Sequence, residues 1–137
     1  MRIALPTMIR LPSDRAQSFH IAKVVDVLQS MGHTVDIFTP YSPQSSTKNF
    51  QSHYGLSTLV KLHHLGRLPV VDSYLPSFAR RYFTNLLFPR RLRSYLHLHR
   101  HRFDALYTRS LDLLPWLTSL EHPIILEIDR LPSRGRN

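Results

Sequence analysis

No cysteine occurs in this chain, and glycine occurs only four times in 137 residues. Without thiols there is neither a disulfide framework nor a thiolate metal site, and the redox compartment leaves no trace in the sequence. The scarcity of glycine excludes the phosphate-cradling loops. The first apolar run is followed by PTMIRLPSDRAQS, where no glycine lets backbone close on a pyrophosphate, and no P-loop pattern occurs. A conventional NAD or nucleotide site is therefore not expected. Long hydrophobic runs are missing too: none approaches the roughly 20 residues that span a bilayer. The opening MRIALPTMIRLPSD is interrupted by Pro6, Arg10 and Pro12 and does not read as a signal peptide. The expected location is cytoplasmic. Acidic residues are the last deficit, with 9 Asp+Glu against 18 Lys+Arg and a net charge of +9. Between Asp72 and Asp104 there is none, while Arg80, Arg81, Arg90, Arg91, Arg93, Arg100 and Arg102 fall in that interval. A field of one sign attracts phosphates, anionic lipid or an acidic protein surface.

What is present is an ordinary globular composition, long enough for one domain with its own core. Residues 2–6 (RIALP) form a short apolar run closed by proline, the pattern of a buried strand. A helix follows, with Asp14 as its expected cap, Gln17 as the capping-box partner and Ile21, Val24, Val25, Leu28 and Met31 on one stripe. Gly32 supplies the stop, and residues 33–40 (HTVDIFTP) read as a strand. Strand, helix, glycine and strand make a βαβ unit, hence a parallel sheet with a right-handed crossover. Residues 41–54 read as an exposed polar loop, and residues 59–65 as a weak strand because His63 and His64 interrupt it. Residues 73–102 read as helical with a break or kink at Pro89. Residues 104–109 then form a strand, residues 110–120 a helix capped by Ser110, and residues 123–128 the last strand. The expected fold class is α/β, a Rossmann-like parallel sheet flanked by helices over residues 1–130, with an irregular tail at residues 131–137. In such sheets ligands collect at the carboxyl ends of the strands.

Three segments carry a resemblance. They are RAQSFHIAKVVDVLQSMGHTVDIFTP at residues 15–40, DALYTRS at residues 104–110 and PIILEID at residues 123–129, with HYGL at residues 53–56 and GRLP at residues 66–69 between them. In this order the chain resembles the N-terminal lobe of GT-B glycosyltransferases of the family-4 type. That lobe has a first helix ending in Gly-His, a later Asp-hydrophobic-Tyr-x-Arg strand, and a Pro-hydrophobic-Glu-x-His strand. The resemblance implies a two-lobed transferase whose N-terminal lobe receives the acceptor, while the C-terminal lobe holds the nucleotide-sugar donor, its diphosphate at a helix N-terminus. The C-terminal lobe with its paired-glutamate motif has no counterpart in these 137 residues. The chain is thus expected to bind no cofactor alone and to be inactive until a C-terminal lobe or separate chain supplies the donor. A fragment, a split subunit and a remnant all fit.

The resemblance also sets the candidate site. Asp129 stands at the family's usual histidine position, and a carboxylate there is ordinarily charged near neutral pH and repels a donor diphosphate. His20, Arg109 and Glu127 are candidate acceptor or cleft contacts, each weighed against a plain structural role such as satisfying helix-end carbonyls or a local carboxylate. Arg80, Arg81, Arg90, Arg91 and Arg93, interleaved with Phe78, Tyr82, Phe83, Leu86, Leu87 and Phe88, read either as a solvated helix face or as an anionic-membrane patch. His97 and His101 share a helix face, but no neighbouring carboxylate or cysteine completes a metal site, so none is expected. The competing reading is a basic α/β module for nucleic acid or protein contacts, without catalysis. The charge supports it; the absence of any familiar RNA- or DNA-binding motif weighs against it.

Overall fold

A computed structural model describes residues 1–40, 50–66 and 74–128. The elements are β1 (Arg2–Pro6), α1 (Ala16–Ser30), β2 (Thr34–Thr39), α2 (Phe50–Tyr54), β3 (Lys61–His64), α3 (Ser77–Leu98), β4 (Ala105–Thr108), α4 (Leu114–Leu117) and β5 (Ile124–Leu126). The strands lie in the order β3-β2-β1-β4-β5, and every pairing is parallel. This is the doubly wound, Rossmann-like sheet that the order of elements implied.

Period-two alternation divides the strand side chains between two cores. Leu5, Val35 and Ile37 pack against Ile21, Ala22 and Val25 of α1. Ala4, Phe38 and Leu106 point the other way, onto Phe88, Leu92 and Leu96 of α3 and Leu117 of α4. Each large side chain so buried contributes about 1.5–3 kcal/mol. With helices on both faces, the central strands need apolar residues at consecutive positions, and Ile3, Ala4 and Leu5 are all buried.

The first βαβ unit forms as its residues dictate. Gly32 adopts φ +85° just beyond α1, a conformation that disfavours side chains. The cap is different from expectation. Asp14 does not cap α1; Arg15 takes that position in extended conformation with no side-chain cap bond, while the Asp14 carboxylate lies 3.1 Å from His53 Nε2. The loop is instead held from α2. The Ser13 N–H donates to Tyr54 Oη, and the Tyr54 hydroxyl donates to the Ser13 carbonyl, both at 2.9 Å. So the end of the polar stretch, residues 50–54, is a helix with Phe50 buried. Residues 41–49 and the tail at 129–137 fall outside the described residues.

The weak strand is real but short, and its histidines have partners. His63 stacks on Phe38 at 4.6 Å between centroids and sets Nε2 3.2 Å from Oδ2 of Asp36. That carboxylate, 3% exposed as a residue, also accepts from Arg2 at 2.9 Å, and Arg2 in turn lies over the Phe103 ring. The long helix is unbroken: α3 continues through Pro89, which is buried. Ser110 caps no helix; a 3₁₀ turn at Leu111–Leu113 precedes the four residues of α4, and Ser110 turns its hydroxyl to the backbone of Met8. Gly66 is a close-approach position, because a Cβ there would sit 2.2 Å from the Pro40 carbonyl oxygen.

Replacing Asp36 by alanine strands the Arg2 and His63 contacts. The expected loss is about 1.5–3 kcal/mol, the range for hydrogen bonds to charged groups, measured by urea denaturation. Asp36→Asn is expected to recover part of it. Gly66→Ala is expected to destabilise as well, since the clash is with backbone rather than with a flexible side chain.

Candidate functional site

The winding of the chain selects one edge of the sheet. From β1 the crossover through α1 leads to β2 and on to β3; from β3 the chain returns across the sheet to β4, on the other side of β1. The direction of winding therefore reverses between β1 and β4, and at such a switch point the loops at the carboxyl ends diverge and leave a crevice. Thr7 and Met8 leave β1 on one side of it, Arg109 and Ser110 leave β4 on the other. Two bonds tie the rims. Thr108 Oγ1 donates to the Pro6 carbonyl at 3.0 Å, and the Met8 N–H reaches Ser110 Oγ at 3.4 Å.

On the α1 side of the crevice the fold assembles a polar cluster. Tyr107 and Arg109, two residues apart at the end of β4, share one face. Glu127 follows β5, held by its N–H to the Thr108 carbonyl at 3.0 Å. His20 comes from the second turn of α1. The Glu127 carboxylate joins all three: Oε1 lies 2.8 Å from His20 Nε2 and 3.4 Å from Arg109 Nε, and Oε2 accepts from the Tyr107 hydroxyl. Three residues singled out in the sequence, His20, Arg109 and Glu127, thus meet, although 107 positions separate the first from the last. Tyr107 had not been singled out as a site residue; its signal was the strand alternation that aligns it with Arg109.

The cluster is graded in exposure. The side chain of Arg109 is 17% exposed and that of Glu127 27%, whereas His20 is 43% exposed. A carboxylate on Nε2 orients the imidazole and favours a proton on that nitrogen, so that Nδ1 acts as an acceptor. Beneath lies a cavity of about 10 Å³, lined by Leu5, Thr7, Ile21, Val24, Tyr107 and Arg109. That is space for about one water molecule, so a ligand of any size has to approach from above.

The remaining candidates are dispersed. Asp129 is outside the described residues. Arg80, Arg81, Arg90, Arg91 and Arg93 are all exposed along α3, with Arg91 donating to the Leu65 carbonyl at 3.2 Å. Among the described residues no three His, Asp or Glu side chains are grouped to hold a metal ion. His99 is engaged with Tyr95, stacked at 4.2 Å. Among the described residues no helix is long and apolar enough to cross a membrane.

No protein-family model and no curated protein matches the chain. Solved structures do. The apo form of UGT2 from Phytolacca americana aligns with TM-score 0.64 at 19% identity, over 93% of this chain and 29% of that one. A UDP-glucosyltransferase from Polygonum tinctorium, capable of glucosylating indoxyl and solved with 3,4-dichloroaniline, aligns with TM-score 0.55 at 18% identity, over 91% and 28%. The C-terminal domain of a Pyrococcus furiosus hydrogenase aligns with TM-score 0.53 at 9% identity, over 93% and 90%. At these identities the likeness is one of fold. The chain spans less than a third of the glycosyltransferases it matches.

Because the His20–Glu127 pair is partly solvated, its contribution to folding is expected to be small. A double-mutant cycle of His20→Ala and Glu127→Ala under urea denaturation is expected to give a coupling of about 0.2–1 kcal/mol. A coupling well above that range would mark the pair as structural.

Proposed function

We propose that this chain is the acceptor-side part of a glycosyltransferase-like protein of GT-B architecture, with the Glu127-centred cluster at its reacting edge. One observation carries the reading. A histidine oriented by a carboxylate, half exposed, stands at the switch-point edge of a sheet whose solved likenesses include two plant glycosyltransferases. An imidazole so held is suited to accept the proton of an acceptor hydroxyl as that oxygen attacks a sugar carbon. Arg109 and Tyr107 keep the carboxylate in place, and Glu127 steadies the imidazolium as it forms. In this reading Asp129, two residues beyond Glu127 in the sequence, takes the place of the family's usual histidine, as the resemblance implies. The nucleotide-sugar donor belongs to the part of the protein that these residues do not include, whether a C-terminal lobe of one polypeptide or a separate chain.

The exposed arginines support a peripheral site at an anionic membrane face. Arg80 and Arg90 lie on the side of α3 opposite its buried stripe of Phe88, Leu92 and Leu96, where they can meet a charged surface while the helix stays packed. Each contact of this kind contributes about 1 kcal/mol. The nucleic-acid module is the alternative, since the same charge suits a phosphate backbone.

The decisive experiment isolates the protein from its source with any chain that co-purifies, and assays nucleotide-sugar-dependent glycosylation of hydroxylated acceptors. Transfer is expected, and His20→Ala is expected to lower kcat on the order of 10²–10⁴-fold, the scale of a lost general base. Unchanged kcat in that variant sinks the assignment of His20. Tight, steeply salt-dependent oligonucleotide binding with no transfer favours the alternative. For the arginines, sedimentation with vesicles is expected to show retention on anionic lipid at low salt and little on neutral lipid, reduced by combined Arg80→Gln and Arg90→Gln changes.

A further inference from the structure

The inward stripe of α3 changes character halfway along the helix. Leu96, Leu92 and Pro89 are buried in the core, and three to four residues further back at each step the same side carries Asn85 and Arg81, then Tyr82 and Phe78. There the stripe has left the core, and an exposed amide and an exposed guanidinium stand in line with the buried residues. The result is a cleft of about 320 Å³ lined by Met8, Arg81, Asn85, Pro89, Asp112, Leu113 and Trp116. It opens at the β1–β4 switch point, on the face opposite the Glu127 cluster: Met8 follows Thr7, which lines the small cavity of that cluster, and Asp112 is three residues beyond Arg109.

Building on the acceptor-side reading, we propose that this cleft binds a neutral sugar ring, the glycosidic part of an acceptor. Arg81 and Asp112 bring opposite charges to its walls, and neither forms an ion pair with a described residue. Their charges cancel, which disfavours an anion as much as a cation, while each remains able to hydrogen-bond. Asp112 accepts from hydroxyls, Arg81 donates to them, and the Asn85 amide does both. Pro89 adds a further acceptor. It has no N–H to give to the Asn85 carbonyl four residues back, which leaves that oxygen without its usual helical donor. Met8, Leu113 and the half-buried ring of Trp116 offer an apolar floor. A pyranoside ring has the matching surface, hydroxyls around its edge and C–H groups on its faces. The volume falls at the lower end of small-ligand sites. Phe78 and Tyr82, 76% and 67% exposed, extend the stripe as an aromatic rim where a larger glycan or an aglycone can lie.

Trp116 is the single tryptophan of the chain, so its emission reports on the cleft. The 137-residue protein is titrated with methyl β-glucopyranoside and with cellobiose, and with inorganic phosphate as the anionic probe. Expected is a saturable change in Trp116 emission with one or both sugars, insensitive to salt. Asp112→Asn and Arg81→Gln, at exposed positions, are expected to keep the wild-type circular dichroism and each to weaken binding about tenfold, or about 1.4 kcal/mol. No saturable change with either sugar overturns the proposal, as does saturation by phosphate alone with steep salt dependence. The transfer assay fails independently of this one. Sugar binding without transfer retains the cleft and removes the acceptor role; transfer onto simple aromatic hydroxyls with Trp116 silent retains the role and removes the cleft.

Discussion

Everything in this molecule depends on β1 pairing on both of its edges with the same polarity. Its register with β2 runs from Arg2↔Thr34 to Pro6↔Phe38, and on the other edge Ile3 and Ala4 meet Ala105 and Leu106. The amino end is clamped: the Arg2 N–H donates to an Asp104 carboxylate oxygen at 2.6 Å, and the Asp104 N–H returns to the Arg2 carbonyl at 2.8 Å. Parallel strands need crossovers, crossovers put helices on both faces, and a central first strand forces the winding to reverse beside it. The crevice between the β1 and β4 loops is a consequence of that reversal.

The two ends of the sheet use carboxylates differently. At Asp36 the carboxylate is enclosed, and both a guanidinium and an imidazole meet it, as the cost of desolvating a lone charge demands. At Glu127 the carboxylate stays partly in water, where an ion pair adds little to stability. Its surroundings nevertheless bring an imidazole, a phenol and a guanidinium from three separate segments to one group. That convergence is the observation on which the proposed role of this edge rests. The helix α3 shows the same division along its length, apolar and enclosed toward its carboxyl end, polar and open over the cleft toward its amino end.

Much of the fold was legible in local pattern. The β1-α1-β2 unit is written in apolar spacing and in Gly32, and β4 and β5 fall within the segments that period and proline mark out. Misreadings came where a distant partner outbids a local signal. Asp14 has the chemistry of a cap but meets His53 instead. Ser110 has the same chemistry and binds the backbone across the crevice. Phe50–Tyr54 looks like loop until Tyr54 is seen to anchor Ser13. His63 looks like a strand breaker until Asp36 and Phe38 receive it.

The sequence by itself determined the class of the fold and the parallel sheet, and through its resemblance it marked His20, Arg109 and Glu127 as candidate cleft residues. Local periodicity and charge are properties of neighbours along the chain, and they survive without tertiary structure. Only the tertiary structure decided that one carboxylate gathers those residues, that Tyr107 belongs with them, and that Arg81, Asn85, Asp112 and Trp116 line one cleft. Those meetings join segments up to 107 positions apart, and they are set by the order in which distant strands pair, which spacing along the chain does not specify.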